Sequence, residues 1–327
     1  MIFQKNQEKQ PAPRNRTLNL STEEIEIYRR RLVYLRNQTD LSEIRNKIIC
    51  GDAFETLKKL PEKSFDLLFA DPPYNLTKNF GANSFKQTSL NEYEIWLDSW
   101  LKDCVGLLKP TASVYICGDW HSASAIQRVG LRYFQLRNRI TWEREKGRGA
   151  LGNWKNTAED IWFFTVSDAF VFNAEAVKIK RKVLAPYKEN GKPKDWSEEE
   201  SGNFRLTSPS NLWTDLTVPF WSMPENTTHP TQKPEKLLAK IILASSNEND
   251  LILDPFAGSG TTAVVAKKLN RNFTAIEADE NYCLLTEKRL DLAENDKSIQ
   301  GFSDGVFWER NSLKSVSRKA KRAKEER

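Results

Sequence analysis

Phe65-Asp66-Leu67-Leu68-Phe69-Ala70-Asp71-Pro72-Pro73-Tyr74-Asn75 is the stretch whose reading decides the fold. A mostly apolar run reads as a buried strand. Where it gives way to a loop stand a carboxylate, two ring-locked residues without N–H donors and an aromatic ring. In an open parallel sheet, ligands gather beyond the carboxyl ends of the strands, so a polar cluster at this point marks a candidate site. A strand stopped by Pro-Pro is the plain alternative, and this run alone does not separate the two.

Upstream, Lys47-Ile48-Ile49-Cys50 reads as a short strand ending in Gly51-Asp52, with a helical segment through Leu57 and Leu60 before the focal strand. Strand, helix, strand within so few residues is a βαβ unit with parallel neighbours and a right-handed crossover. Further back, Ser21-Thr22-Glu23-Glu24 is a capping box that opens an amphipathic helix bearing Ile25, Tyr28, Leu32 and Leu35. The polar, Pro-bearing residues 1–20 predict a disordered or loosely laid arm.

Downstream, residues 76–88 lack periodicity and predict a mobile lid. Ser89 and Glu92 then open a helix whose Tyr93, Trp96 and Trp100 rings read as a packing face. Arg139–Trp142 and Asp160–Val166 read as a strand pair. The loop between them is basic and Gly-rich, with Arg144, Lys146, Arg148, Trp154 and Lys155. Residues 168–226 lose the α/β rhythm and interleave Arg181, Lys182 and further lysines with Tyr187, Trp196, Phe204 and Trp213. Basic side chains with aromatics between them suit a surface that tracks phosphates and stacks on bases, and a solvated insertion has the same composition.

The chain has 327 residues, enough for one large α/β domain with an insertion, and a net charge of +6 that is unevenly spread. Its 4 cysteines form no CxxC pair, which fits reduced thiols rather than a disulfide frame or zinc site. The N-terminus has no apolar signal-like region, and no run approaches the roughly 18 apolar residues that span a bilayer. A cytoplasmic protein is expected, with no metal and no membrane.

A second motif supplies the chemistry. Leu251-Ile252-Leu253-Asp254-Pro255-Phe256-Ala257-Gly258-Ser259-Gly260-Thr261 is a strand running into a glycine turn and a helix. The turn lets a ligand approach the backbone, and the helix N-terminus offers unpaired N–H groups. With Glu277 about 20 residues on, it also fits a dinucleotide fingerprint, so an NAD-linked oxidoreductase stays open. Asp254 weighs against it: beside a pyrophosphate it repels, and beside an ammonium or sulfonium it attracts.

The focal motif answers the other half. An exocyclic amino nitrogen on a base is a poor nucleophile because its lone pair is delocalised. Two acceptors aimed at its N–H bonds, the Asp71 carboxylate and the Pro72 carbonyl, favour the pyramidal form. Tyr74 can stack on the base, and Pro72 and Pro73 hold the acceptors ready.

Asp71-Pro72-Pro73-Tyr74 and Asp254–Gly260, joined by Cys50-Gly51-Asp52-Ala53 and His229-Pro230-Thr231-Gln232-Lys233-Pro234, resemble the S-adenosylmethionine-dependent amino-methyltransferases of DNA, in the motif order of the β-class adenine-N6 enzymes. The resemblance implies an α/β fold: a doubly wound, mostly parallel seven-stranded sheet with one antiparallel strand. The resemblance covers roughly 45–165 and 228–292 and places a target-recognition region at 168–226; the chain is expected to divide into a catalytic half (21–167), that insertion (168–226), a cofactor half (227–295) and a basic C-terminal tail (296–327), disordered over 314–327. The resemblance also implies a base flipped out of double-stranded DNA. By it, Asp52 meets the cofactor adenine and Glu277 the ribose. Asp254, Phe256, Gly258 and Gly260 line the methionine end, and His229 and Lys233 stand beside its carboxylate. Ala53, Asp71 and Thr261 complete the cofactor set. Arg144, Lys146, Arg148, Lys155, Arg181 and Lys182 are expected on DNA.

The enzyme is then the modification half of a restriction system, with a cognate endonuclease, or stands alone. A homodimer through the helix near Tyr28 or the long aromatic helix has room to form. Cytosine-N4 methylation shares the chemistry, but those enzymes usually carry Ser where Asp71 stands. A catalytically silent DNA-binding subunit is disfavoured by the intact Asp71–Tyr74 run.

Overall fold

In the computed structural model the described residues are 13–80, 83–148, 152–183, 187–190, 192–199, 202–310 and 312. The central sheet is made of β1 (Lys47–Cys50), β2 (Phe65–Ala70), β3 (Leu108–Gly118), β4 (Gln135–Arg148), β5 (Asn156–Thr165), β6 (Leu212–Trp213), β7 (Leu251–Asp254) and β8 (Asn272–Glu277). Their order is β1-β8-β7-β2-β3-β5-β4-β6. Every neighbouring pair is parallel except the two that β5 makes with β3 and β4, so β5 alone runs against the rest. The expected seven strands and single antiparallel member are present. The eighth, β6, is a two-residue addition that the insertion lays beside β4.

Alternate residues of the buried strands serve two cores, because successive side chains point to opposite faces. Leu67 and Phe69 join one core, with Leu237, Ile241 and Val264 from α5 (Glu235–Ser245) and α6 (Thr261–Lys268). Leu68 and Ala70 join the other, with Leu97, Trp100 and Ile126 from α3 (Leu90–Val105) and α4 (Ala123–Tyr133). Both capping boxes read from the sequence form, at Ser21 for α1 (Thr22–Arg29) and at Ser89 for α3. Short α2 (Ala53–Leu57) is capped by the Asp52 side chain.

The insertion does not stand alone. Ile179–Lys182 is flanked by Gly202–Thr207 on one side and by Val306–Trp308 on the other, in a five-stranded sheet. The expected tail from residue 296 is therefore wrong through Trp308: Phe307 is wholly buried and its N–H is bonded to Lys178. Residues 313–327 lie outside the described residues. From Arg16 onward the arm is laid on the body rather than disordered. Arg16 and Leu18 donate backbone hydrogen bonds to Trp221 and Asn226 at 2.6 and 2.9 Å, which straps this segment to the insertion. Residues 1–12 lie outside the described residues.

Helix α5 is buried almost all round, charges included. Its lysines survive there because Asp215, from the insertion, lies 2.6 Å from Lys236 and 2.5 Å from Lys240, and Glu235 lies 3.0 Å from Arg289. The expected lid at 76–88 contains a hairpin, Lys78–Phe80 against Asn83–Phe85, with residues 81 and 82 outside the described residues.

Candidate active site

Asp71 leaves the carboxyl end of β2, and the loop behind it is held by side chains from α3 and the start of α4 and by its own Asn75. The Tyr93 hydroxyl of α3 donates to the Pro73 carbonyl at 2.9 Å. Asn75 clamps Thr88 in both directions, accepting from its N–H at 2.8 Å and donating to its carbonyl at 2.9 Å. Asn75 N–H donates to the Ser122 hydroxyl, which itself donates to Asp119. The orientation of the Asp71–Tyr74 run is thus fixed by folding, before any ligand arrives.

The second motif forms beside it. Gly258 (φ 53°) and Gly260 (φ 74°) both adopt the left-handed region, and Gly260 caps α6. A Cβ on Gly258 would stand 2.8 Å from His229 Nε2. The Glu277 carboxylate accepts from Gly258 N–H at 2.9 Å with one oxygen and from Asp279 N–H at 2.8 Å with the other. Asp254 accepts from Phe256 N–H at 3.0 Å and from the Thr262 hydroxyl at 2.5 Å.

One cavity joins the two motifs. Asp71 and Pro73 line it together with Asp254, Phe256, Gly258 and Thr261. Asp52, Ala53, Glu277, His229 and Lys233 are also on its wall. Three predicted residues lie behind the lining. Pro72 is buried, Gly260 packs under Thr286, and Tyr74 presses its ring against the core with its hydroxyl turned to Asp71. The sequence reading missed the aromatic flank formed by Phe54, Phe85 and Trp96; Trp96, taken as packing, faces the cavity. It also missed Glu159, an acid on β5 that is only 7% exposed.

Residues 65–288 match a family model described as DNA methylase. The chain belongs to the DNA methylases. It is 36% identical over 258 residues to the DNA adenine methyltransferase YhdJ of Escherichia coli K12, covering 76% of this chain and 83% of the relative. It is 35% identical over 255 residues to the Type II methyltransferase M.HpaI of Haemophilus parainfluenzae, covering 76% and 75%. Among solved structures, the M1.HpyAVI–SAM complex is similar at 26% identity and a TM-score of 0.52, covering 75% of this chain and 98% of the other.

In this methylase the Asp71–Tyr74 loop is electrostatically crowded. Lys233 Nζ donates to Asp71 Oδ2 at 2.6 Å and lies 3.5 Å from Glu159 Oε2. The Tyr74 hydroxyl lies within hydrogen-bond reach of Asp71 Oδ1 (3.0 Å) and Glu159 Oε2 (3.1 Å), and Arg144 donates to Glu159 Oε1 at 2.6 Å. Burial pushes the Asp71 carboxyl above its ordinary value; Lys233 draws it back and Glu159 adds to the rise. Burial works the same way on Glu159, but Lys233 and Arg144 outweigh it, so that carboxyl lies below the usual range. Asp254, buried, is pushed up to about 7. Burial lowers the His229 imidazole to about 4, with Lys233 adding to the drop, so the ring is neutral at pH 7.

The expected DNA contacts are scattered. Arg144 turns inward to Glu159, Arg181 sits 3.9 Å from Glu309, and Lys155 and Lys182 are exposed. The side chains of Lys146 and Arg148 lie outside the described residues. Trp154, in the same loop, is 94% exposed.

Proposed function

We propose that this enzyme transfers a methyl group from S-adenosylmethionine to the N6 amino group of an adenine flipped out of double-stranded DNA, at a specific sequence. The observation that carries the reading is that Asp71 and the Gly258 turn line the same cavity. The adenine-specific relative and the Type II relative favour N6-adenine modification within a restriction system over cytosine-N4 methylation, NAD chemistry or a silent subunit.

The residues present fit the cofactor. His229 Nδ1 and Ser259 Oγ are buried without hydrogen-bond partners, and both residues line the cavity, ready for a polar ligand. Asp52 and Glu277 offer carboxylate acceptors on the cavity wall, which also carries the aromatic flank. When bound, S-adenosylmethionine supplies an electrophilic methyl on a cationic sulfur. The chain's own part is positioning and charge. Asp71 and the Pro72 carbonyl accept the two N–H bonds of the amino group, and buried Asp254 keeps a carboxyl near the sulfonium side. Extruding the base costs a few kcal/mol, which stacking and edge contacts offset. Exposed Lys155, Lys182 and Trp154 would meet the duplex.

Among the described residues no helix is long and apolar enough to cross a membrane. We infer that the enzyme works in the cytoplasm beside its DNA, with an endonuclease cutting the same site as its companion. A homodimer through α1 or α3 is to be tested by light scattering. Single-molecule sequencing of DNA from cells expressing the chain tests the main reading: modified adenines in one recurring context support it, and unmodified DNA sinks it.

Tyr74→Ala is expected to bind S-adenosylhomocysteine as the wild type does, by calorimetry, yet to lose about a hundredfold in turnover. Its hydroxyl ties Asp71 to Glu159, so removing the side chain loosens the acid that faces the substrate. Unchanged turnover on duplex DNA would remove Tyr74 from the mechanism.

A further inference from the structure

Glu159 comes from the one strand that runs against the sheet, and its carboxylate reaches three of the site's polar groups: Lys233, Tyr74 and Arg144. Without it, the buried ammonium of Lys233, 2.6 Å from Asp71, would cancel the charge of the acid that has to face the substrate. An amino nitrogen that accepts a methyl group becomes cationic, and a neutral Asp71–Lys233 pair offers it little. Two carboxylates around one ammonium leave one negative charge. We propose that Glu159 is the positioning residue that takes up the charge of Lys233, so that the negative charge of Asp71 is left for the amino nitrogen.

This rests on the amino-methyltransferase reading of the site. The nitrogen bonds the methyl carbon with its lone pair, the methyl–sulfur electrons leave on sulfur, and one N–H proton is released afterwards. Glu159 takes no part in bond making and touches no substrate atom. Arg144, 39% exposed at the outer oxygen of Glu159, is partly screened by solvent, whereas Lys233 is enclosed. The other titratable groups that act on Asp71 are Lys78 from the hairpin, Tyr93 from α3, Cys117 from β3, Asp254 from β7 and Tyr74 from its own loop.

Glu159→Gln keeps the shape and an acceptor for Tyr74 while deleting the charge. Its single-turnover rate on unmethylated DNA bearing the wild type's own target context is expected to fall on the order of tenfold or more, with S-adenosylhomocysteine affinity unchanged. The pH profile carries the distinguishing signature. Glu159 raises the Asp71 pKa, so deleting its charge shifts the acid limb of the rate to lower pH even as the plateau drops. Arg144→Gln, at a half-exposed position, shifts that limb to higher pH by freeing Glu159 to hold Lys233. A Glu159→Gln plateau and acid limb identical to the wild type overturn the proposal. So does an Arg144→Gln limb that does not move, even if Glu159→Gln fails to fold. A wild-type chain that methylates no DNA instead overturns the function on which the proposal rests.

Discussion

Asp71→Ala is expected to lower single-turnover methyl transfer by about a thousandfold or more while leaving S-adenosylhomocysteine binding within a few-fold of wild type. In the proposed mechanism the acceptor lost is the one aimed at the reacting nitrogen, which puts the deficit on the chemical step rather than on ground-state binding. The fold should hold. Lys233 keeps Glu159 at 3.5 Å as a partner, and the loop keeps its Tyr93 and Thr88 tethers. Asp71→Asn, equal in size, should be nearly as slow, since an amide presents a weaker acceptor and no charge. In the wild type the rate should rise from acid pH as Asp71 ionises and then level. Because burial raises that carboxyl, the limb lies above the ordinary aspartate range. Rapid-quench measurement with labelled methyl donor reads both results, and a turnover in Asp71→Ala near that of wild type would end this assignment.

The second large effect is on stability. Gly260→Ala is expected to cost about 2–5 kcal/mol, the sum of left-handed backbone strain in a residue with a Cβ and overpacking at a closed site. At φ 74° that Cβ would stand 2.1 Å from Thr286 Cγ2, on a side chain 1% exposed in α7 (Glu280–Asn295). The turn has nowhere to retreat, because Arg289 donates to the Ser259 carbonyl at 2.7 Å and to the Thr261 hydroxyl at 3.1 Å. Thermal unfolding should come roughly 3–7 °C lower, and Thr286→Ala should restore part of the loss in the double variant. Gly106→Ala, with open space around its Cβ, serves as the control and should be nearly silent. A Gly260→Ala chain as stable as the control would refute the packing argument.

What the sequence disclosed follows the range of the forces involved. The strand at 65–70, the capping boxes at Ser21 and Ser89 and the glycine turn are set by neighbours within a few residues, so periodicity and residue type reveal them. The shared cavity joins residues 162 positions apart, as in the Lys233–Asp71 pair, and only the resemblance between motifs anticipated it. Glu159 escaped because an acid within Asn156–Thr165 looks like any solvent-facing strand residue until Tyr74, 85 positions away, is placed against it. Strand Val306–Trp308 escaped for a similar reason. Three residues carry no period, and their partner Ile179–Lys182 lies across the whole cofactor half. Likewise, nothing local to Lys236 and Lys240 announces that Asp215 will cover them.

The central claim is that one cavity brings an amino group held by Asp71 to a methyl donor held at the Gly258 turn. Its most direct test is to incubate the purified chain with unmethylated DNA and isotope-labelled S-adenosylmethionine, digest the DNA to nucleosides and weigh them. The account predicts label in N6-methyladenine alone, absent with Asp71→Ala; label in a methylcytosine, or label that persists in the variant, would contradict it.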